Sequence, residues 1–256
     1  MMIDETPPSD GLTYRERQLT IVLLDLVSST KFIERVGAVR AARWLQRHDK
    51  FTRALLYRFS GREIDRSDGF LFTFNHVIDA VNFSLYYQSN VPPKTGLKAR
   101  IGIHCGPIVE VEQCELSVMV GAKPVEVEGI SKNIAARAMS AASSGQIIIT
   151  SDAFQVARST LNRETPKLTQ FACVGVYRFK GVRAEQTLYA VGQTAQSLQP
   201  PKGGGKVRRL AGPSRIKARQ KHKRVADLLH RALLLAFLVA VVYLIALMWP
   251  WLWRNV

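Results

Sequence analysis

The stretch Ile21-Val22-Leu23-Leu24-Asp25-Leu26-Val27-Ser28-Ser29-Thr30 decides the fold. Four apolar residues run into Asp25, Leu26 and Val27 follow, and a Ser-Ser-Thr turn ends the run. A run of this length with β-branched residues predicts a buried strand. Ser28, Ser29 and Thr30 are favoured N-cap residues, so a helix is predicted next. A carboxylate therefore stands at the end of a buried strand, directly before a helix start with its free N–H groups and partial positive charge. A hard oxygen ligand in that setting suits a phosphate chain with bound Mg²⁺ or Mn²⁺. An Asp at a strand-to-helix turn with no ligand is the plainer alternative, and the stretch alone leaves both open.

Upstream, residues 1–17 carry Pro7, Pro8 and Gly11 and are expected to be a disordered lead. The acidic, Pro-containing start is not expected to be a signal peptide. Downstream, Lys31–Phe59 has a helical pattern with a break expected at Gly37, and Gly61 ends it. Asp68-Gly69 then separates Glu63–Arg66 from the strand Phe70–Phe74, a hairpin signal that places Asp68 at the tip, where it could join Asp25. On its own an Asp-Gly pair is an ordinary turn.

Val77–Gln88 is predicted helical, Val91–Gly96 a loop, and Leu97–His104 a strand ended by Gly106-Pro107. Val109–Val127 suits a hairpin looped at Gly121–Pro124. A helix is expected after Gly129, with Asn133 and Arg137 on one face at i and i+4. Ala135, Ala136 and Ala138 there permit close backbone approach. Gln146–Thr150, Gly175–Lys180 and Gln186–Val191 read as strands, with Ser151 capping a further helix. Strands alternating with helices and hairpins indicate an α+β fold, helices over a largely antiparallel sheet.

The 256 residues are 47% hydrophobic, enough for one domain with a core, and the net charge is +16. That charge is uneven. Eleven Lys/Arg against one Asp lie between Ala195 and Arg231, so the basicity belongs to a segment and no nucleic-acid-binding surface is expected on the domain. Cys105, Cys114 and Cys173 have no metal-ligand spacing and fit a reducing compartment. Residues 193–231, with Gly203-Gly204-Gly205, read as a basic flexible linker suited to an anionic leaflet. Ala232–Trp253 is 22 residues without a charge, about 30 Å of helix and long enough to span a bilayer. Trp249, Trp251 and Trp253 suit the interfacial belt, and the basic flank puts the domain on the cytoplasmic side of the inner membrane.

Five blocks together resemble the class III nucleotidyl cyclase catalytic domain, over about residues 18–192. They are Leu23-Leu-Asp25-Leu-Val-Ser-Ser-Thr30, Ser67-Asp68-Gly69-Phe70-Leu-Phe-Thr-Phe74, Arg100-Ile-Gly-Ile-His104-Cys-Gly-Pro107, Gly129-Ile-Ser-Lys-Asn133-Ile-Ala-Ala-Arg137 and Phe179-Lys180-Gly181-Val182. Each is weak alone; five in order and spacing are specific. The resemblance implies a ferredoxin-like α+β cyclase domain, here with one C-terminal transmembrane helix. It implies conversion of a nucleoside triphosphate to a 3′,5′-cyclic nucleotide and pyrophosphate. Asp25 and Asp68, with the Leu26 carbonyl, would hold two divalent ions, Mg²⁺ or Mn²⁺. Asn133 would orient the ribose, Arg137 would stabilise charge at the α-phosphate and Lys180 would bind the outer phosphates. The family's sites lie at a head-to-tail interface, so a homodimer with two sites is implied.

Two departures concern the base. The family's purine-selecting positions fall on Ile64, with Glu63 or Asp65 able to shift into its place, and on Glu126. Neither purine pattern is met. ATP is favoured by prevalence in the family. Some bacterial relatives make cyclic pyrimidine nucleotides from UTP or CTP as anti-phage signals, which is the alternative. From another class come a catalytically inactive regulatory module and a membrane-surface adaptor. The full set of Asp25, Asp68, Asn133, Arg137 and Lys180 argues against the first, and the five blocks against the second.

Overall fold

The computed structural model describes residues 12–67, 69–201 and 203–213, with Asn162 described only in its backbone. The chain divides into two units, Met1–Leu210 and Ala211–Val256. Beyond its first three residues the second unit lies outside the described residues, and with it the expected span Ala232–Trp253. Among the described residues no helix is long and apolar enough to cross a membrane.

The opening stretch is the end of a 14-residue strand, β1 (Thr13–Leu26). Its side chains alternate between two faces, as a strand requires. Val22, Leu24 and Leu26 enter one buried cluster, Leu19 and Ile21 another. β1 is central, antiparallel to β3 (Phe70–Phe74) on one side and to β4 (Ala99–Glu112) along its full length on the other. The remaining strands are β2 (Arg62–Arg66), β5 (Val125–Glu128), β6 (Ile147–Thr150), β7 (Gln170–Phe179), β8 (Gln186–Gly192) and β9 (Val207–Ala211). They form one mixed sheet ordered β2-β3-β1-β4-β6-β8-β7-β9, with β5 beside β4. β4 and β6 run parallel; the hairpins β2–β3, β4–β5 and β7–β8 are antiparallel.

Helices cover both faces. α2 (Ala38–Arg58), α3 (Val77–Thr95) and α6 (Ser151–Glu164) bury Leu56, Phe83 and Ala157 against Val22, Phe72 and Ile103. α5 (Ile130–Ala141) covers the other face through Ile134, Ala135 and Ala138. Its small residues do permit close approach, and Gly102 on β4 is the matching gap: a Cβ there would lie 2.2 Å from Met139 N and 2.5 Å from Ala135 O. α1 (Ser29–Val36) follows β1 and is parted from α2 at Gly37, whose φ of 82° suits glycine. α4 (Glu115–Met119) lies within the β4–β5 connection.

Several expectations are corrected. The lead is shorter: Thr13–Arg17 is strand, paired with Ile108–Glu112 and tied by Arg15–Glu112 at 3.3 Å and Arg17–Glu110 at 3.5 Å. β4 runs through Gly106-Pro107. Its pairing with β6 ends at Ile103 and with β5 begins at Val109, so the missing N–H of Pro107 falls where β4 has only one paired neighbour. α3 continues through Pro92 and Pro93, which sit in its last turn. Thr95 Oγ1 donates to Val91 O at 2.8 Å and Gly96 N to Pro92 O at 2.7 Å, closing that turn without the prolines' N–H.

Residues 193–213 are not a free linker. Val207 is buried, Tyr177 Oη donates to Pro201 O, and Lys180 N donates to Lys206 O at 2.9 Å. The caps differ as well. Ser28 stands at the start of α1 with φ 62° but makes no side-chain cap. Ser151 is the first residue of α6, and the Thr150 hydroxyl before it is engaged by His104 Nδ1 at 2.8 Å.

Candidate active site

Asp25, one residue before the end of β1, lines a cavity of about 410 Å³, whose walls include Ser29, Thr30, Arg66, Ser67 and Gly69. Leu26 lines the same cavity. Cross-strand from Asp25 is Arg100, whose Nε donates to Asp25 Oδ2 at 2.8 Å and whose Nη2 forms an ion pair with the same oxygen at 2.7 Å. Asp68 lies outside the described residues. Leu24 pairs with Phe70, so one further step sets Asp25 against Gly69. A Cβ on Gly69 would lie 2.5 Å from Leu24 O, which is why glycine stands there. Two carboxylates and a carbonyl are hard oxygen donors, the set that Mg²⁺ or Mn²⁺ takes. Among the described residues, no group of three His, Cys, Asp or Glu gathers for a metal.

A second set lies elsewhere. Asn133 is exposed and Arg137 half-buried on α5, and Arg137 Nε donates to Lys180 O at 3.4 Å in the turn after β7. None of Asn133, Arg137 and Lys180 lines the Asp25 cavity. The register shows why. Leu24, Ile101, Ile147, Val191 and Phe171 lie side by side across the sheet. β7 is thus four places from β1, about 19 Å away. Lys180 is ten residues along β7 from the level of Asp25, a further displacement of about 30 Å along the strands. Within one chain the carboxylate half and the Arg137–Lys180 half cannot reach a common small molecule.

A bulge falls at the positions expected to select the base. The β2–β3 register shifts between Glu63 and Asp65. Ile64 is buried with Leu19, Ile21, Leu71 and Val127. Glu63 is held by both arms of Arg53 at 2.7 and 2.8 Å. Asp65 instead pairs with Lys123 and accepts from Ser67 Oγ at 3.1 Å. Burial works against the Asp65 carboxylate, but Lys123 and Ser67 outweigh it and hold it below the usual carboxylate range. Glu126 is exposed on β5.

Two partners escaped the sequence reading. Arg100 was visible only as a motif letter; its pairing with Asp25 needs the β1–β4 register. Arg66 and Asp49 belong to no motif, but Arg66 Nε donates to Asp49 Oδ2 at 3.0 Å and Asp49 is buried. An Asp beside a His on the apolar face of a helix was the available signal.

The fold is an α+β domain with a carboxylate-lined cavity near the end of its central strand. Residues 13–193 match the adenylate and guanylate cyclase catalytic domain, and the chain belongs to that family. It is a class III nucleotidyl cyclase, a lyase of cyclic-nucleotide biosynthesis. No curated protein sequence matches it. Among solved structures, the adenylyl cyclase CyaB from P. aeruginosa is similar over 73% of this chain and 99% of its own, at 16% identity and a TM-score of 0.61. The guanylate cyclase domain of RhGC from Catenaria anguillulae, solved with GTP, is similar over 69% and 97%, at 17% identity and a TM-score of 0.58. The non-canonical dimeric guanylyl cyclase domain of RhoGC from Blastocladiella emersonii is similar over 69% and 97%, at 17% identity and 0.55. At these identities the likeness is one of fold.

Proposed function

We propose that the protein is a membrane-tethered homodimer whose two active sites each combine Asp25 and Asp68 of one copy with Asn133, Arg137 and Lys180 of the other. The observation that carries this is the separation of the two halves to different strands and opposite ends of one sheet. A head-to-tail pair of copies brings each half against its complement. Exposed Leu116, Met119 and Val120 on the β4–β5 connection and Ile130 at the start of α5 supply apolar surface for a second copy to cover. Dimeric assembly of the RhoGC domain is in keeping with this.

In the reaction the ribose 3′-oxygen attacks the α-phosphorus, the bond to the β-phosphate oxygen breaks, and pyrophosphate leaves. The 3′-hydroxyl proton passes to solvent. Asp25, Asp68 and the Leu26 carbonyl would hold two divalent ions, which when bound acidify that hydroxyl and balance the charge of the leaving pyrophosphate. Asn133 orients the ribose. Arg137 stabilises charge developing at the α-phosphate. Lys180 meets the outer phosphates as a point charge.

ATP is the favoured substrate on prevalence within the family. A second reading, cyclisation of UTP or CTP, rests on the apolar burial of Ile64: neither purine-selecting pattern is present, and Asp65 with Lys123 offers an acceptor and a donor in its stead. The span Ala232–Trp253 would anchor the protein in the inner membrane with the domain on the cytoplasmic face. An inactive regulatory module is disfavoured because every role has a residue.

The test of the shared site is complementation. Asp25→Ala and Arg137→Ala are each expected to be inactive, and mixing them should restore part of the activity, since a heterodimer keeps one intact site. Heterodimers that form and remain inactive would contradict it.

A further inference from the structure

The solvent side of α2 carries a charge pattern that none of these roles uses. Its 21 residues hold Arg40, Arg43, Arg47, Lys50, Arg53 and Arg58 against one acidic residue, Asp49. Asp49 is buried and paired with Arg66, and Arg53 is paired with Glu63. Arg40, Arg43, Arg47 and Lys50 are exposed, and among the described residues they form no ion pair. At about 100° of turn per residue, these four fall with Ala54 and Arg58 in one sector of about 80°, along roughly 27 Å of helix. Exposed apolar side chains flank the sector, Val39 and Tyr57 on one side and Phe51 on the other; Val39 is 68% and Tyr57 88% exposed. Lys94 on α3 adds a further cation, its Nζ 5.4 Å from the Phe51 ring centroid.

Stability does not account for this face. Arg40, Arg43, Arg47 and Lys50 follow one another at i,i+3 or i,i+4, so like charges are neighbours and repel. A glutamate at any of the four positions would turn repulsion into attraction. A second copy does not account for it either, since the apolar surface proposed for that contact lies on the β4–β5 connection and α5. The Asp25 cavity meets α2 through Leu45, which points nearly opposite to Arg47. A partner on the basic face therefore leaves that cavity open.

An anionic partner relieves the repulsion. A lipid leaflet fits the whole pattern: its phosphates meet the cations, and Val39, Phe51 and Tyr57 enter the headgroup boundary. A nucleic-acid backbone would reward the cations and give Val39 nothing.

We propose that the Arg40–Arg58 face of α2 docks the domain on an anionic lipid surface. The inference rests on the reading of Ala232–Trp253 as a span, which would hold the domain near a leaflet at high effective concentration. Each cation then favours the docked state by about fivefold, and salt screens the effect.

The test uses full-length protein reconstituted into vesicles of phosphatidylcholine alone, or of an equal mixture with phosphatidylglycerol. A fluorophore is placed on the face by Tyr57→Cys, with Cys114→Ser and Cys173→Ser; Cys105 is buried. Its quenching by a lipid spin-labelled in the headgroup reports docking. Quenching is expected to be at least threefold greater in the mixed vesicles, and to fall to the neutral-vesicle level in high salt. The combined variant Arg40→Gln, Arg43→Gln, Arg47→Gln and Lys50→Gln should abolish the difference. All four positions are exposed and glutamine forms helix nearly as well as arginine, so its thermal unfolding midpoint and its turnover in detergent should match wild type. Equal quenching in both vesicle types, or a difference that the variant keeps, would overturn the proposal. Wild type that binds duplex DNA through these four residues, with no lipid-dependent quenching, would assign the face to nucleic acid and overturn it equally. Protein that carbonate strips from both vesicle types would remove the span instead. The face is then read by co-flotation with the mixed vesicles, where the variant should bind at least tenfold more weakly than wild type, and equal binding would overturn the proposal.

Discussion

Arg100 meets a single oxygen of Asp25, Oδ2, donating to it through Nε at 2.8 Å and pairing with it through Nη2 at 2.7 Å. Asp25 Oδ1 has no hydrogen-bond partner among the described residues. The arginine therefore neutralises the carboxylate without using up its ligand capacity, and a metal can take the second oxygen while the pair persists.

Asp25→Asn and Asp68→Asn are predicted to lower turnover with Mn²⁺ by about 100-fold or more, because on the proposed reading each removes a charged metal ligand. The stability cost of Asp25→Asn should be small. The Asp25 and Arg100 side chains are 21% and 37% exposed, and a pair so open to solvent contributes no more than about 1 kcal/mol. Turnover and thermal unfolding of the same samples check both halves; a large drop in the unfolding midpoint would mean that Asp25 is structural.

Gly102→Ala is predicted to destabilise by about 1–3 kcal/mol or more. The new methyl would meet the backbone of α5, at Met139 N and Ala135 O, which has no side-chain freedom to yield. Chemical denaturation reads this as a lower midpoint, and an unchanged midpoint would show that α5 shifts freely.

His104 provides the pH prediction. It is buried with Nδ1 bonded to the Thr150 hydroxyl, and burial pushes its pKa below the ordinary value, with Asp152 opposing weakly. The unfolded chain takes up a proton near pH 6.5, where the folded chain does not. The stability this group contributes is therefore fully present above about pH 6.5 and is lost as the pH falls, by at most about 1.4 kcal/mol per pH unit. The unfolding midpoint should drop from pH 7 to pH 5 in wild type, and less steeply in His104→Gln. Parallel slopes would contradict this.

Truncation separates the domain from the tail. The segment after Gly192 carries Pro201, Lys206 and Val207, which meet the Tyr177 hydroxyl, the Lys180 N–H and the second core cluster. A chain ending at Gly192 is predicted to be destabilised and to lose activity, because the turn that presents Lys180 loses its support. A chain ending at Pro213 should be soluble and active. On the proposed reading of Ala232–Trp253 as a span, the full chain should resist salt and carbonate extraction from membranes, since those apolar residues would have to return to water. Release by carbonate would count against the span.

Much of the fold was legible because its signals are local. The run ending at Asp25, the Asp68-Gly69 turn and the Gly129 helix start each carry their own pattern. The shorter lead, the strand through Pro107 and the strand Val207–Ala211 were not legible, since each depends on a partner distant in sequence. Thr13–Arg17 is polar and becomes strand only beside Ile108–Glu112. The helix through Pro92 and Pro93 misled because prolines in a last turn remove only two helix bonds, while Thr95 and Gly96 still close the turn. Of the site, residue identities came from five motifs. Their division between two ends of the sheet, and the Arg66–Asp49 link, follow only from register and packing.

The central claim is cyclisation, and it is tested most directly by product identity. Purified full-length protein in detergent is incubated with Mn²⁺ and, separately, ATP, GTP, CTP and UTP, and the products are identified by mass and retention against 3′,5′-cyclic standards. The account predicts a cyclic nucleotide and pyrophosphate in equal amounts from at least one of the four, abolished by Asp25→Asn. Wild-type protein that turns over none of them, or that releases only linear nucleotides, would contradict it.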